Sequence, residues 1–344
     1  MIRIVHLLDD FAMGGVTRAL SLFEDDRIAA MAQSRVVTMG KGVVTAPRLD
    51  CDLIVIHVPP CWSRLPHLAA LKVRNPQARI VQVEHSYTRG FEVEKITSPV
   101  RFGALLRTAA RLVNEIIAVS EAQRGWLEDR GVPVAKLRTI HPWSGREELL
   151  AVPDLPMRPT RPLRLLAYGR LAPEKNFAAL IEAMDRLAPG LAELTLFGSG
   201  PEEARLTALA SKRANVRLLP ATNDIAPRLR DCDAVVVPSR FEAFGLVATE
   251  ARMAGRPILV ADVDGLPEQV RGGGIVAPMQ NADEVARAIQ LLFEADLPAL
   301  GRGARASVLP QHDGIIARWQ AVIRRAASQT SAEDAFDSSR LAGA

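Results

Sequence analysis

Aromatic residues, cysteines and long apolar runs are all scarce in this chain of 344 residues. Aromatic side chains make up 5% of the sequence, and the three cysteines, Cys51, Cys61 and Cys232, form no CxxC pair. This pattern argues against a disulfide scaffold and a zinc site. No apolar run approaches the roughly 20 residues that span a bilayer, and the start lacks a basic region and a cleavage site. We therefore expect a cytoplasmic protein whose first residues, Met1 to Leu8, form a strand.

The positive charge of the chain is small and is concentrated in its first half. Hydrophobic residues make up 48% and charged residues 24%, which is an ordinary globular composition. The net charge is +4, and the segment from Arg64 to Arg111 holds nine basic residues against three acidic ones. Such an excess is typical of a solvated surface; the alternative is attraction to anionic lipid or to an anionic acceptor. Nucleic acid is not expected as a partner, since no binding motif accompanies the charge.

Short runs of Val, Ile and Leu alternate with amphipathic helical patterns along most of the chain. This alternation is typical of parallel sheets with helices on both faces, an α/β fold. The predicted strands are Ile2–Leu8, Arg35–Met39, Leu53–His57, Arg79–Val83, Glu115–Val119, Leu137–Ile140, Leu163–Tyr168, Glu193–Phe197, Val216–Leu219, Ala234–Val237 and Pro257–Ala261.

The segment from Gly145 to Pro162 interrupts this rhythm with four prolines, which remove donors and restrict their neighbours. We therefore predict two doubly wound domains, at residues 1–145 and 163–310, joined by a linker at 146–162. A last amphipathic helix is expected at 311–327, packed back on the N-terminal domain, and a flexible polar tail at 328–344.

Open parallel sheets bind ligands beyond the carboxyl ends of their strands, so the loops there hold the candidate site residues. After the first strand, Gly14 and Gly15 allow a close backbone approach and precede a helix whose free N–H groups favour an anion. The alternative is an ordinary tight turn. The loop Phe197–Glu203 begins a dinucleotide-binding motif but has Glu203 in place of its third glycine. The acidic helix start would repel a pyrophosphate, which argues against a nicotinamide cofactor.

Two cations and two glutamates mark the loops of the second domain. Arg170 and Lys175 follow the strand Leu163–Tyr168 and together suit a diphosphate, unless Glu174 simply pairs with one of them at the surface. Glu242 follows the strand Ala234–Val237, and Glu250 comes eight residues later, within about 12 Å at helical rise. In isolation, glutamates at this spacing are typical of solvated helix faces.

Together these motifs resemble one family, the retaining glycosyltransferases of family 4, which have the GT-B fold. The second domain carries the resemblance throughout, whereas the first domain matches more loosely, through Gly14-Gly15 and Ala118-Val119-Ser120-Glu121. The matching motifs of the second domain are Gly169-Arg170-Leu171, Glu174-Lys175-Asn176, Phe197-Gly198-Ser199-Gly200-Pro201, the Glu-x7-Glu pair Glu242 and Glu250, Ala254-Gly255-Arg256-Pro257 and Asp264-Gly265-Leu266-Pro267-Glu268. The resemblance implies two Rossmann-like, doubly wound domains that face each other across a cleft. The first would bind the acceptor and the second the nucleotide sugar.

The resemblance also implies a role for each candidate residue. Arg170 and Lys175 would neutralise the diphosphate, and Glu242 would hold hydroxyls of the transferred sugar. Glu250 would hold the ribose hydroxyls, and His85 would contact the sugar; the alternative for His85 is a structural side chain. The remaining donor-binding residues would be Gly14, Gly15, Gly198, Phe244, Gly245 and Leu246. Of the other histidines, His57 and His141 also end strands, while His6, His67 and His312 are expected to be structural or exposed.

We therefore predict a retaining glycosyltransferase that moves a sugar from a UDP- or GDP-sugar to a glycan, lipid-linked or small-molecule acceptor. Its expected role is bacterial cell-surface or exopolysaccharide synthesis, in the cytoplasm or peripherally at the inner face of the membrane. Same-face substitution is favoured over double displacement, because Glu242 is assigned to hydroxyl binding. Two cations replace a metal, so neither a metal nor another cofactor is expected. The alternatives are a hydrolysing sugar-nucleotide epimerase and a catalytically silent sugar-nucleotide-binding scaffold subunit.

Overall fold

The computed structural model describes residues 1–9, 15–39, 44–156 and 162–341. The chain divides into two compact units. Unit 1 consists of Met1–Gly145 together with Asp313–Ala344, and unit 2 consists of Arg146–His312. Among the described residues, none of the helices combines the length and the apolar character that crossing a membrane requires.

Unit 1 is built on a parallel sheet of six strands. Its strands are β1 (Ile2–Leu8), β2 (Ala32–Thr38), β3 (Leu53–Ile56), β4 (Arg79–Glu84), β5 (Glu115–Ala118) and β6 (Leu137–Thr139), in the spatial order β2-β1-β3-β4-β5-β6. The helices between them are α1 (Gly15–Ala19), α2 (Asp26–Ala29), α3 (Leu65–Arg74), α4 (Arg89–Lys95), α5 (Pro99–Leu112) and α6 (Glu121–Asp129). All residues of β3 and β5 are buried. Such wholly buried strands are typical of a parallel sheet with helices on both faces.

Unit 2 repeats this plan with a second parallel sheet of six strands. Its strands are β7 (Leu163–Arg170), β8 (Ala192–Ser199), β9 (Val216–Pro220), β10 (Ala234–Val237), β11 (Ile258–Ala261) and β12 (Gly274–Ala277), in the order β12-β11-β10-β7-β8-β9. Its helices are α7 (Phe177–Ala183), α8 (Glu203–Ala210), α9 (Ala226–Arg230), α10 (Leu246–Met253), α11 (Ala282–Glu294) and α12 (Leu297–Val308). All eleven predicted strands are present, and β12 is additional.

The chain order reverses beside the first strand of each sheet. In unit 1, β1 pairs with β2 on one side and with β3 on the other. In unit 2, β7 pairs with β8 on one side and with β10 on the other. At such a reversal the connections on either side lead to opposite faces of the sheet and leave a crevice at the carboxyl ends of the strands. The expected sites therefore lie between β1 and β3 and between β7 and β10.

The segment predicted as a linker, 146–162, belongs to unit 2 over its described part. Residues Glu147–Ala151 form a short 3₁₀ helix, and Leu149 within it is fully buried. The buried guanidinium of Arg256 donates to the carbonyl of Pro153 at 3.0 Å. Prolines alone indicated a free connection, but they do not prevent a segment from packing. Residues 157–161 lie outside the described part of the chain.

The last helix, α13 (Gln311–Leu341), packs on unit 1. The Trp319 ring lies 4.8 Å from the Phe23 ring, and Nε of Arg325 lies 2.8 Å from the buried carboxylate of Glu115. The helix continues to Leu341, whereas the small and polar residues from 328 onward predict a flexible tail. No proline or glycine interrupts residues 328–341, so nothing in the backbone chemistry ends the helix earlier. Residues 342–344 lie outside the described part.

We expect Ile323→Ala to lower the free energy of unfolding of unit 1 by about 2–5 kcal/mol, because Ile323 of α13 is fully buried. The control, Arg324→Ala, changes the exposed neighbour and should stay within about 0.5 kcal/mol of the parent protein. All four tryptophans, Trp62, Trp126, Trp143 and Trp319, belong to unit 1. Tryptophan fluorescence during urea unfolding therefore reports on this unit. Equal urea midpoints for Ile323→Ala and Arg324→Ala would mean that α13 does not stabilise unit 1.

Candidate active site

Lys175 and Glu242 meet beside the reversal of strand order in unit 2. Lys175 ends the short 3₁₀ helix after β7, and Glu242 lies in the loop after β10. The Lys175 ammonium contacts the Glu242 carboxylate, and the two side chains are 24% and 16% exposed. The pair is therefore held by the protein but can still be reached by a ligand. The two loops are also joined through the backbone, since the Arg240 N–H donates to the Glu174 carbonyl at 2.8 Å.

Glu242 is held in place from several sides. The Ser239 hydroxyl donates to its carboxylate at 3.2 Å, and its backbone N–H donates to the Asp264 carboxylate at 3.1 Å. Its carbonyl accepts from the N–H of Gly265 at 3.1 Å. Asp264 and Gly265 follow β11, the next strand of the sheet. The motif Asp264-Gly265-Leu266-Pro267-Glu268 therefore supports the loop that carries Glu242.

Arg170 and Gly198 lie at the ends of the paired strands β7 and β8. The Arg170 side chain is exposed and forms no ion pair with any described residue. Glu174 therefore pairs with neither cation among the described residues, because Lys175 contacts Glu242 and Arg170 forms no ion pair. Gly198 faces Gly169 across the strand pair, and a Cβ at Gly198 would overlap the Gly169 carbonyl oxygen. Only glycine permits this approach.

Gly245 begins helix α10, and a side chain there would be both strained and obstructed. Its φ of +86° lies in the left-handed region, and an added Cβ would lie 2.7 Å from a Leu266 methyl group. The Gln269 amide donates to the Phe244 carbonyl at 3.2 Å, which fixes the loop before Leu246. The first turn of α10 thus starts in a defined backbone conformation beside Glu242. A helix N-terminus of this kind favours an anion.

Glu250, the predicted ribose ligand, is enclosed in unit 2. Its side chain is fully buried, and its carboxylate accepts a hydrogen bond from the Tyr168 hydroxyl at 2.9 Å. Nε of Arg146 lies 3.3 Å from the other carboxylate oxygen. Burial, followed by the charge of Glu250, raises the pKa of Tyr168 well above its ordinary value. In this arrangement a ribose could reach Glu250 only after Arg146 or Tyr168 had moved.

His85, the predicted sugar contact of unit 1, ends a chain of three imidazoles. Nε2 of His85 lies 3.0 Å from Nδ1 of His57, and Nε2 of His57 lies 3.0 Å from Nδ1 of His6. Burial lowers the pKa of His6 to about 3 and that of His85 to about 4, and it also lowers the pKa of His57. No shared role for His6 and His57 follows from the sequence alone, because only the strand order shows that β1, β3 and β4 are neighbours.

Glu84, directly before His85, is a buried carboxyl group at the end of β4. It accepts hydrogen bonds from the backbone N–H groups of Ser86 and Tyr87, both at 2.9 Å. Burial outweighs these two bonds and raises the pKa of Glu84 to about 7. Of the predicted glycines of this unit, Gly14 lies outside the described residues and Gly15 begins α1. Within the described ranges, no group of three His, Cys, Asp or Glu side chains could hold a metal ion.

The described site of unit 2 lies in a segment that matches a known family. The family described as glycosyl transferases group 1 matches residues 156–304, which include Arg170, Lys175, Glu242 and Glu250. This segment, which makes up less than half of the chain, is similar to that family. The match confirms the family resemblance stated from the sequence motifs.

Two curated relatives show how far the similarity extends. The phosphatidyl-myo-inositol mannosyltransferase of Mycolicibacterium smegmatis is 27% identical over 270 residues, which cover 75% of this chain and 66% of the relative. The glycogen synthase of Mycobacterium tuberculosis is 36% identical over 161 residues, which cover 43% of this chain and 38% of the relative. The chain thus spans 38% to 66% of the length of these two relatives.

Solved structures with the same fold confirm the predicted GT-B architecture. HepE of Anabaena, solved in complex with UDP, aligns with a TM-score of 0.72 at 18% identity and covers 94% of this chain and 100% of its own. Sucrose-phosphate synthase of Thermosynechococcus elongatus aligns with a TM-score of 0.73 at 19% identity and covers 94% of this chain and 99% of its own. Two parallel six-stranded sheets flanked by helices are therefore a GT-B fold.

We expect the stability of unit 1 to fall with rising pH through Glu84. Its folded pKa of about 7 lies above the value of 4.5 for an ordinary glutamate. The folded state therefore keeps a proton that the unfolded state has released, and this stabilisation is lost as the pH rises through 7. Relative to Glu84→Gln, the unfolding free energy of the parent protein should fall by roughly 2–3 kcal/mol between pH 5 and pH 8.

Urea unfolding followed by tryptophan fluorescence at several pH values measures this difference. Glu24→Gln, which removes an exposed carboxylate of the same unit, is the matched control. A difference between the parent protein and Glu84→Gln that stays constant with pH would mean that Glu84 is ionised in the folded protein.

Proposed function

We propose that the chain is a retaining glycosyltransferase that transfers a sugar from a UDP- or GDP-sugar to a hydroxyl acceptor. The observation that carries the proposal is the Lys175–Glu242 pair, which is partly exposed and lies beside the N-terminus of α10. This place combines a cation, a helix N-terminus and an acceptor of hydroxyl hydrogen bonds, which are the groups that a sugar diphosphate requires. The family match over residues 156–304 and the UDP complex of HepE support a donor of this class.

The donor diphosphate would be held by Arg170, Lys175 and the first turn of α10. Arg170 is exposed and Lys175 rests against Glu242, so binding would give Lys175 a phosphate partner beside its carboxylate partner. Fixed cations aimed at a leaving group stabilise the negative charge that develops on it. Glu242 would accept hydrogen bonds from hydroxyls of the transferred sugar, with Ser239 and Lys175 fixing its orientation. Transfer would then need neither a metal nor another cofactor.

Retention would follow from substitution on one face of the sugar. The bond from C1 to the leaving phosphate oxygen breaks, and the acceptor oxygen bonds to C1 on the same face. The leaving phosphate oxygen takes the acceptor proton, so no separate base is needed. Double displacement would require a carboxylate on the opposite face of the sugar, and the Glu242 carboxylate already faces Lys175 and Ser239.

The acceptor is a glycan, a lipid-linked molecule or a small molecule in this proposal, with a role in bacterial cell-surface or exopolysaccharide synthesis. Relatives named as acting on phosphatidyl-myo-inositol and on D-inositol 3-phosphate support a hydroxylated acceptor next to an anionic group. The basic segment from Arg64 to Arg111 would favour such an acceptor electrostatically. We place the protein in the cytoplasm, with peripheral contact at the inner face of the membrane.

We expect Lys175→Ala and Glu242→Ala each to lower turnover by at least about 100-fold while leaving the fold intact, as for the loss of one transition-state contact. Lys212→Ala and Glu294→Ala, which remove exposed charges elsewhere in unit 2, are the matched controls. The donor is first identified by thermal shift against UDP- and GDP-sugars, since a ligand at 100 times its Kd adds about 2.7 kcal/mol.

Turnover is the release of nucleoside diphosphate with and without an acceptor pool. Release that depends on an acceptor supports the transferase. Release that ignores acceptors and yields an epimerised sugar would indicate an epimerase, and binding without release would indicate a scaffold subunit. Near-normal turnover in folded Lys175→Ala or Glu242→Ala would remove the assignment of that residue.

The membrane contact would involve the exposed residues Trp62, Val100 and Arg101. Trp62 is 42% exposed and Val100 is 83% exposed, and the Arg101 guanidinium lies over the Trp62 ring at 5.8 Å. We expect the protein to sediment with phosphatidylglycerol vesicles and to be released as the salt concentration rises. Val100→Glu should reduce the bound fraction several-fold, whereas Leu309→Glu, at an exposed position of unit 2, should not. Binding that ignores both lipid charge and salt would count against this contact.

A further inference from the structure

The three imidazoles of unit 1 form a continuous row across the sheet. His6 lies in β1, His57 directly follows β3, and His85 directly follows β4, and these three strands are neighbours. The ring centroids are 5.2 Å apart between His6 and His57 and 5.3 Å apart between His57 and His85. These separations are close to the spacing of about 4.8 Å between neighbouring strands. In the sheet register His6 is opposite Val55, two residues before His57, and Ile56 is opposite Gln82. Each histidine therefore lies two residues further along its strand than the previous one, on the same face of the sheet, and the row crosses the sheet diagonally.

Only two proton arrangements satisfy both hydrogen bonds of the row. A neutral imidazole carries one N–H and one acceptor nitrogen, and burial keeps these rings neutral by lowering their pKa values. In the first arrangement, Nδ1–H of His6 donates to His57 and Nδ1–H of His57 donates to His85. His85 then carries its own proton on Nδ1. In the second arrangement every bond is reversed, and His85 carries its proton on Nε2.

The environment of His6 distinguishes the two arrangements. Its Nε2 is buried and has no hydrogen-bond partner among the described residues. Phe23 lies edge-to-face on the His6 ring at 4.3 Å, and Trp319 of α13 lies behind Phe23. The second arrangement would place an unpaired N–H at this apolar position. Buried N–H groups without a partner are rarer than under-used acceptors and cost the full desolvation of the donor. The first arrangement leaves only a lone pair there.

We propose that His6 and His57 are positioning residues that fix His85 as the Nδ1–H tautomer. His85 is partly exposed, and its Nδ1 makes no hydrogen bond with any described residue. The Nδ1–H of His85 is therefore a hydrogen-bond donor that unit 1 offers to a ligand oxygen, and the assignment of that ligand as a sugar rests on the proposed function. In this state His85 is not a base, because its acceptor nitrogen is occupied by His57.

A neutral donor suits the proposed reaction. The transition state of glycosyl transfer carries positive charge on the sugar ring. A protonated histidine beside it would repel that charge, whereas a neutral N–H can hold a sugar oxygen without adding a full charge. The row provides this through burial, which keeps the imidazoles uncharged, and through His57, which occupies the acceptor nitrogen.

Nitrogen-15 NMR of histidine rings tests the proposal on the protein without any ligand. The chain has six histidines, so His85→Gln and His57→Asn spectra suffice to assign the two rings. In the parent protein at pH 7, we expect the His85 signals of a neutral ring protonated at Nδ1. His57→Phe keeps the ring volume but removes both bonds, and should shift His85 to a mixture of tautomers. His57→Asn retains a donor near the position of Nδ1 and should restore the Nδ1–H form.

His67→Phe is the matched control, because His67 is a buried histidine of the same unit that bonds the Thr45 carbonyl and not the row. It should leave the His85 signals unchanged. If His57→Phe does not fold, His6→Phe takes its place, since it also removes the partner that sets the direction of the row. Protonation of His85 at Nε2, a charged ring at pH 7, or the same His85 tautomer in His57→Phe as in the parent protein would each overturn the proposal. None of these readouts depends on the proposed activity, so the two can fail separately.

Discussion

The reversal of strand order beside β1 and β7 determines which side chains can meet in each unit. Lys175 and Glu242 are separated by 67 residues in sequence, but they follow β7 and β10, which are paired strands. The row of His6, His57 and His85 similarly forms because β1, β3 and β4 are adjacent strands. In both units the groups lie at the carboxyl ends of strands, where connections to opposite faces leave room for a ligand. The order of the strands thus decides which side chains come together in each candidate site, and the residue types then decide its chemistry.

The two glutamates of the Glu-x7-Glu pair occupy opposite environments. Glu242 is partly exposed and contacts Lys175, whereas Glu250 is fully buried between Tyr168 and Arg146. A buried carboxylate is costly unless it is paired, and removal of its partner leaves the charge uncompensated. Arg146 is the first residue of unit 2, so the start of this unit is tied to the middle of α10 by charge. This tie explains why the residues after Gly145 pack on unit 2 and do not form a free linker.

The alternation of strands and helices could be predicted from the sequence. The order of the strands within each sheet could not. Eleven strands and the motif loops follow from periodicity and composition, because a buried parallel strand is apolar along its whole length. Strand β12 was missed because the glycines that begin it read as a turn. In the structure Gly274 is needed for close approach, since a Cβ there would overlap the carbonyl oxygen of Ile258. The hydrogen bond between His57 and His85 depends on strand order, and the burial of Glu250 depends on how helix α10 packs. Neither can be deduced from the spacing of residues along the chain.

The polar groups at the strand ends of the two units differ in how far they are buried. At the end of β4, Glu84 and His85 are consecutive, and burial acts on them in opposite directions: it raises the pKa of the carboxyl group and lowers that of the imidazole. Both are thereby driven toward their neutral forms. In unit 2, Arg170 is exposed and Lys175 is partly exposed, so both side chains remain in contact with solvent. Under the proposed function, the charged groups suit a diphosphate and the neutral groups suit sugar hydroxyls. The clearest contrast is between the carboxyl group of Glu84, which is 2% exposed, and the exposed guanidinium of Arg170.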